Sequence, residues 1–340
     1  MVLAIRIILR YSPRDDPIFL NWKPRDEGMS ISLKSITALL KAQNLEFSVS
    51  GNDLSVGRLL AIAPQVQDAL CYYVGDDPGI LSGVESSIIL CKPGLPIDPS
   101  RRNTVIYTEH PQLCFYHASS LFEEKPATVI HSQTIINDRA KIGAGASIGP
   151  FCVIDECNLD ENVTIDGGVK IYKGTVIGKN VQIQSNSVIG ATGTMWAWDG
   201  RGNRISCAQT GNVIIQDNVF IGSNITLVRG SFENKPTIIG RDTIMAHGTM
   251  IGHGAVIGER NHFANNVAIA GSVSTGENCF FGSGSIVRPG INIPNGTIVG
   301  AGAVVVDDFL QDGLVLVGNP ARETKGKKDK VSGVPSPFSS

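Results

Sequence analysis

From Ile130 to about Val305 an aliphatic residue returns at every sixth position, and this period constrains the fold more than any other feature of the chain. In the last stretch it runs unbroken through Ile239, Met245, Ile251, Ile257, Phe263, Ile269, Thr275, Phe281, Val287, Ile293, Val299 and Val305, with Thr275 alone not apolar. Four positions after each comes a small or β-branched residue, as at Ala140, Cys152, Val169, Val219, Ala255, Cys279 and Ala303. A period of six fits neither a helix nor an alternating strand. It fits a parallel β-helix in which each hexapeptide supplies one short strand and one corner. The aliphatic residue points inward, the small one fills the taper, and glycine takes corner conformations closed to other residues. Three such strands make a coil, so residues 18 apart stack in one column.

The 340 residues exceed one ordinary domain. Residues 1–28 read as an N-terminal extension, 29–125 as a small α/β domain, 126–318 as the β-helix and 319–340 as a tail. Within the α/β domain Ser32–Lys41 is patterned as an amphipathic helix. Leu70–Val74, Ser87–Cys91 and Thr104–Tyr107 read as strands, and Pro111 opens a helix that should reach Glu124. The repeat register slips near Asn158, and two insertions interrupt it, Gly190–Gly211 and Arg229–Pro236. Insertions in a solenoid leave the core intact and build one face, often the binding face. A net charge of −2 argues against a nucleic-acid partner. The seven cysteines are scattered, Cys152 and Cys279 at inward positions, which favours free core thiols and a cytoplasmic setting over a disulfide framework. Met1–Arg10 is apolar but short and broken by Arg6, a poor signal peptide, and no run is long enough for a transmembrane segment.

His247, His253 and His262 lie within sixteen residues of one another. His247 and His253 each fall two positions after an inward aliphatic residue, which places them outside the core at or near a corner. Either reads as a surface histidine or as a working one. No Asp or Cys spacing completes a metal site around them, so no metal is expected. Gly271 follows His253 by one coil of 18 residues and should stack beside it with no side chain between. A histidine base next to an accessible backbone N–H suits acyl transfer from a thioester: the base takes the proton of the attacking amine or hydroxyl, and the N–H steadies the oxyanion.

Several segments together resemble the UDP-3-O-acyl-glucosamine N-acyltransferases of lipid A synthesis. They are Met29-Ser-Ile-Ser-Leu-Lys-Ser-Ile-Thr-Ala-Leu-Leu, Gly190-Ala-Thr-Gly with the Arg201-Gly-Asn loop, Gly211-Asn-Val-Ile-Ile, Ile221-Gly-Ser-Asn-Ile-Thr, Arg229-Gly, and Ile251-Gly-His253-Gly-Ala-Val-Ile-Gly. The resemblance implies a left-handed β-helix, a homotrimer with sites between subunits, His253 as general base and Gly271 as the oxyanion-stabilising glycine. His247 falls where the family often has Asn, in a supportive position. Ala246 replaces the preceding Asp, so a carboxylate partner for the base is missing or comes from elsewhere. Tyr72 or Tyr73 is the expected aromatic contact to the nucleotide base, although Gly75-Asp-Asp-Pro78 stands where further polar contacts belong. Arg229 and Asn234 are candidate acceptor contacts. Met195 and Trp196, with Trp198, either line a donor groove or form a packed insertion hairpin, and Gly290 is placed beside the donor. The ending Gly318-Asn-Pro-Ala-Arg322 resembles small sugar acetyltransferases that use coenzyme A.

The first expectation is therefore an N-acyltransferase that moves an acyl group from acyl-CoA to a nucleotide-linked amino sugar for surface glycan or O-antigen synthesis, with no tightly bound cofactor. The alternative is the lipid A enzyme itself, with hydroxyacyl carrier protein as donor. A third reading is a catalytically silent trimeric scaffold.

Overall fold

The structure is a computed structural model, and it describes residues 30–123 and 128–324. The extension expected at 1–28 and the tail from 325 onward lie outside the described residues. The chain divides into two compact units, Met1–Lys125 and Pro126–Ser340.

In the first unit helix α1 spans Leu33–Ala42, started by Ser32, whose Oγ accepts the Ser35 N–H at 3.1 Å. Ile36 and Leu40, one turn apart, are its buried residues. A five-stranded sheet runs in the order Ser48–Ser50, Thr104–Tyr107, Ile88–Cys91, Ala69–Tyr73, Arg58–Leu59. Its first pair is antiparallel and the rest are parallel. Alternation along Ala69–Tyr73 sends Leu70 and Tyr72 toward one core with Ile36, Leu40 and Cys114. Ala69, Cys71 and Tyr73 go toward a second core with Val84 and Ile89. Helix α2 covers Pro111–Ser119 and tightens into a 3₁₀ turn over Ser120–Phe122, so it stops short of the expected Glu124. The hydroxyls of Ser119 and Ser120 donate back to the carbonyls of Tyr116 and His117, a local competition that ends helices.

The second unit is a left-handed parallel β-helix whose three flat faces are sheets of nine, eight and ten strands. Strands of two to four residues pair with the next coil, as Ile251 does with Ile269 and Phe263 with Phe281. The aliphatic column is the core: Ile239, Met245, Ile251, Phe263, Phe281, Ile293 and Val299 are fully buried. Phe263 and Phe281 stack at 4.5 Å between centroids with planes 2° apart. Thr275, the polar residue in the column, has a partner in Asn261, which is 1% exposed. The Asn261 amide donates to Thr275 Oγ1 at 3.0 Å and to the Gly276 carbonyl at 2.9 Å, and its Oδ1 accepts the Cys279 N–H at 2.6 Å. The slip near Asn158 is a corner with one residue fewer than its neighbours, since Lys141 pairs with Asn158 and Leu159 with Ile142, whereas Asn158 pairs with Val176.

Left-handed corner residues are not all glycine. On the edge between the eight- and ten-stranded sheets Asn162, Asn180 and Asn218 hold φ near +58° (58, 57 and 59). Each amide donates to the next side chain, ending at Asp242 Oδ1 at 3.0 Å. Asparagine tolerates this conformation, and stacking satisfies its amide, so the ladder replaces the expected run of glycines.

Candidate active site

One edge of the prism, where the nine-stranded sheet turns into the eight-stranded one, gathers both insertions and His253. The strand Val188–Ala191 leads into the first insertion and Thr226–Val228 into the second, and both return to the eight-stranded sheet at Val213–Ile215 and Thr237–Ile239. Met250–Ile251 makes the same turn through His253, and the next two coils make it through Gly271 and Gly290. With parallel strands about 4.8 Å apart, the first insertion leaves the edge about 10 Å from the His253 coil and the second about 5 Å from it.

The His253 ring lies directly over Gly271. A Cβ built on Gly271 would stand 2.5 Å from His253 Nε2, 2.6 Å from Cε1 and 2.9 Å from Cδ2, so only glycine leaves room for the imidazole. The corners are locked together by Ser272 N–H donating to the His253 carbonyl at 2.8 Å and Gly290 N–H to the Gly271 carbonyl at 3.0 Å. Among the described residues the Gly271 N–H has no acceptor. The other ring nitrogen, Nδ1, is 3.0 Å from Ser231 Oγ in the second insertion. The absent carboxylate partner is thus replaced by a hydroxyl. Beside it Gly254 N–H donates to Thr237 Oγ1 at 2.8 Å, fixing the backbone after His253. The result is a half-buried imidazole with Nδ1 anchored and the rest of the ring lying over Gly271.

The second insertion is a short closed loop. Lys235 N–H donates to the Phe232 carbonyl at 2.9 Å, and a Cβ on Gly230 would meet the Lys235 carbonyl at 2.0 Å. Arg229 sends its Nη2 to the Lys173 carbonyl on the same edge, and Asn234 is exposed at the tip. The first insertion is a hairpin of Trp196–Trp198 against Arg204–Ser206. Asp199 closes its turn by accepting the backbone N–H of Arg201 and Asn203, each at 2.8 Å. Trp196 and Trp198 are neighbours on one face, 4.9 Å apart, and both stay exposed, while Met195 is half-buried.

Other candidates are placed elsewhere. His247 occupies a different edge, between the ten- and nine-stranded sheets, where its Nδ1 accepts the Ser223 N–H at 3.0 Å. His262 lies on a flat face with its ring 5.1 Å from Phe280, and burial lowers its pKa. In the first unit Tyr72 packs on Phe115 at 4.7 Å and on Tyr116 at 6.3 Å. Tyr73 points to the opposite side of the sheet, folded over Gly75, with its hydroxyl accepting the Asp77 N–H at 3.3 Å. Only one of the two can therefore serve any given face. No group of three or more His, Cys, Asp or Glu among the described residues is placed to hold a metal ion. No helix among them is long and apolar enough to cross a membrane.

The period placed His253 beside Gly271, as the structure has them, but gave no sign of the Ser231 contact to His253. It sits in an insertion where the period is suspended, and no pattern marks it.

The bacterial transferase hexapeptide (six repeats) family matches residues 156–191, and the hexapeptide repeat of succinyl-transferase matches residues 272–306. The UDP-3-O-acylglucosamine N-acyltransferase of Polynucleobacter asymbioticus is 27% identical over 60% of this chain and 67% of its own. That of Bordetella pertussis is 31% identical over 62% of this chain and 65% of its own. This chain is similar to the UDP-3-O-acylglucosamine N-acyltransferases over part of their length. The match spans about two thirds of the length of these two relatives, and 41% of a third from Pseudomonas entomophila. Among solved structures it is similar to the UDP-N-acetylglucosamine O-acyltransferase of Moraxella catarrhalis, with TM-score 0.53 and 26% identity over 58% of this chain and 75% of that one. The UDP-N-acetylglucosamine acyltransferase of Francisella novicida gives TM-score 0.51 and 27% identity over 58% and 69%.

Proposed function

We propose that the protein transfers an acyl group from a thioester to the amine of a UDP-linked amino sugar, with His253 as general base and the Gly271 N–H as oxyanion donor. The observation that carries this reading is the His253 ring seated over Gly271 on the edge where both insertions emerge. As the amine nitrogen attacks the thioester carbonyl, Nε2 takes its proton and the carbonyl oxygen gains the electron pair beside the Gly271 N–H. The C–S bond then breaks, the amide forms, and the imidazolium returns the proton to the departing thiolate. A general base contributes about 10²–10⁴ to such a rate.

The names carried by the sequence relatives favour the lipid A type of acceptor, UDP-3-O-acylglucosamine, over the surface-glycan reading placed first from sequence. For that acceptor a hydroxyacyl carrier protein is the matching donor, with the exposed Trp196 and Trp198 and the Gly290 corner on the edge the acyl chain would follow. Acyl-CoA is the competing donor. Assembly as a trimer and nucleotide binding by residues 29–125, where the aromatic cluster of Tyr72 ends in exposed Tyr116, belong to the same reading.

A second reading, O-acylation, draws on the sugar O-acyltransferases among the structural relatives. The test is incubation of the protein, and of its His253→Ala variant, with UDP-linked sugars bearing either a free or an acetylated amine. Each is offered acyl-CoA and acyl carrier protein thioesters and the products are read by mass. The proposal expects the acyl mass on the free-amine sugar alone, with turnover lowered by about 10²–10⁴ in the variant. Acylation of the acetylated sugar at the same rate would move the assignment to a hydroxyl. Sedimentation equilibrium showing a stable monomer would remove the trimer.

A further inference from the structure

We infer that Ser231 is the positioning residue of His253, fixing the plane of the imidazole and the nitrogen that carries its proton. This rests on the proposed role of His253 as base. Ser231 is 7% exposed, and its Oγ stands 3.0 Å from Nδ1 while Nε2 faces Gly271 on the opposite side of the ring. Of the two neutral forms of the ring, only the one with Nδ1–H donating to Ser231 Oγ leaves a lone pair on Nε2 for the amine's proton. The other form would point N–H at the substrate and supply no base. A hydroxyl donates or accepts, so this bond fixes the orientation of the ring in either form, and the form with Nδ1–H donating is the one the base role requires.

The serine is itself held. Its carbonyl accepts the Thr210 N–H at 3.2 Å, and Thr210 closes the first insertion. Gly230 N–H donates to the Asn212 carbonyl at 3.0 Å, and a Cβ on Gly211 would meet the Gly230 carbonyl at 2.5 Å and the Phe232 carbonyl at 2.6 Å. The end of the first insertion is thus clamped on the second, and the second delivers a hydroxyl to the base. This gives the two insertions a joint purpose on one edge: they build the wall behind Nδ1.

A hydroxyl differs from a carboxylate in that it orients the ring without adding a negative charge to it. The charged residues of the loop that presents Ser231 are Arg229, turned to the Lys173 carbonyl, and the exposed Glu233 and Lys235. The Ala270-Gly271-Ser272 corner on the other side carries no charge, and Arg288 stands on the coil beyond it. Placing a carboxylate at 231 would favour the imidazolium and move the acid limb of the pH–rate profile to higher pH, by about one to three units for an opposite charge in contact.

The test uses the full chain as Ser231→Ala, Ser231→Asp and His253→Ala, with kcat, KM and the pH dependence of kcat/KM for each. Ser231→Ala should lose about tenfold in kcat, the scale of one hydrogen bond, with KM for the acceptor unchanged. Ser231→Asp should shift the acid limb upward. Full kcat in Ser231→Ala, or an unmoved limb in Ser231→Asp, overturns the inference while His253→Ala remains inactive. Full activity in His253→Ala overturns the base assignment instead. In the unaltered protein, nitrogen NMR of labelled histidine should find the proton of neutral His253 on Nδ1, and finding it on Nε2 refutes the inference whatever the variants do.

Discussion

Gly271→Ala isolates the central contact of the site in a single methyl group. The new Cβ would be placed 2.5–2.9 Å from three atoms of the His253 ring, where carbon atoms ordinarily approach to about 3.5–4.0 Å. The ring must therefore retreat by about 1 Å, and a displacement of that size costs about 10²-fold in rate. Little else changes. Gly271 is not among the residues with positive φ, so alanine meets no backbone objection, and the residue lies outside the core. The backbone N–H assigned to the oxyanion is retained. Thermal stability should hold or rise slightly, since alanine restricts the unfolded chain by about 0.4–1 kcal/mol. Steady-state turnover with saturating donor and acceptor should fall about 10²-fold, and the loss should vanish in the background of His253→Ala, where no ring remains to displace. Near wild-type turnover in Gly271→Ala, or losses that add in the double variant, would show that catalysis does not depend on the ring being seated there.

Two further outcomes test the fold around the site. Asn261→Ala strands the buried Cys279 N–H, leaves Thr275 Oγ1 with the Gly258 N–H alone, and should destabilise the β-helix by about 1–3 kcal/mol, seen as a lower thermal midpoint with catalysis intact below it. Burial pushes the Cys71 and Cys157 thiols up to about 12 and the Cys91 and Cys279 thiols up to about 11, while Cys207 in the first insertion is the exposed cysteine. Native protein at pH 8 should take iodoacetamide at Cys207 alone. Because the unfolded chain releases these thiol protons near 9.0 and the folded chain only above 11, stability should decline as pH rises through that window, and a flat profile would contradict the burial.

The period of six made the solenoid legible, because each inward residue must face one axis and each corner must close in a fixed number of residues. The His253–Gly271 stack followed from the same count. The shared edge of the two insertions was present in the sequence but hidden, since Ile189, Leu227 and Ile251 align only when the inserted residues are removed from the count. Ser231 was not legible at all. Its contact depends on how a loop closes, through Gly230 against Lys235 and Thr210 against its own carbonyl, and none of that is periodic. The two tyrosines could not be separated from sequence, yet strand alternation divides them, Tyr72 to the helices and Tyr73 to the other side of the sheet. Helix α2 ended early for a local reason, the serine hydroxyls that bond back onto its last turn.

The most direct test of the account is the bond that the protein makes. The product of a UDP-linked amino sugar and an isotope-labelled acyl donor should be treated with hydroxylamine, which cleaves esters, including a 3-O-acyl ester already on the acceptor, and leaves amides. The account predicts that the labelled acyl group survives on the former amine, and that the product forms about 10²–10⁴ times more slowly with His253→Ala. Release of the labelled acyl group by hydroxylamine, or a product formed as fast without the imidazole as with it, would contradict it.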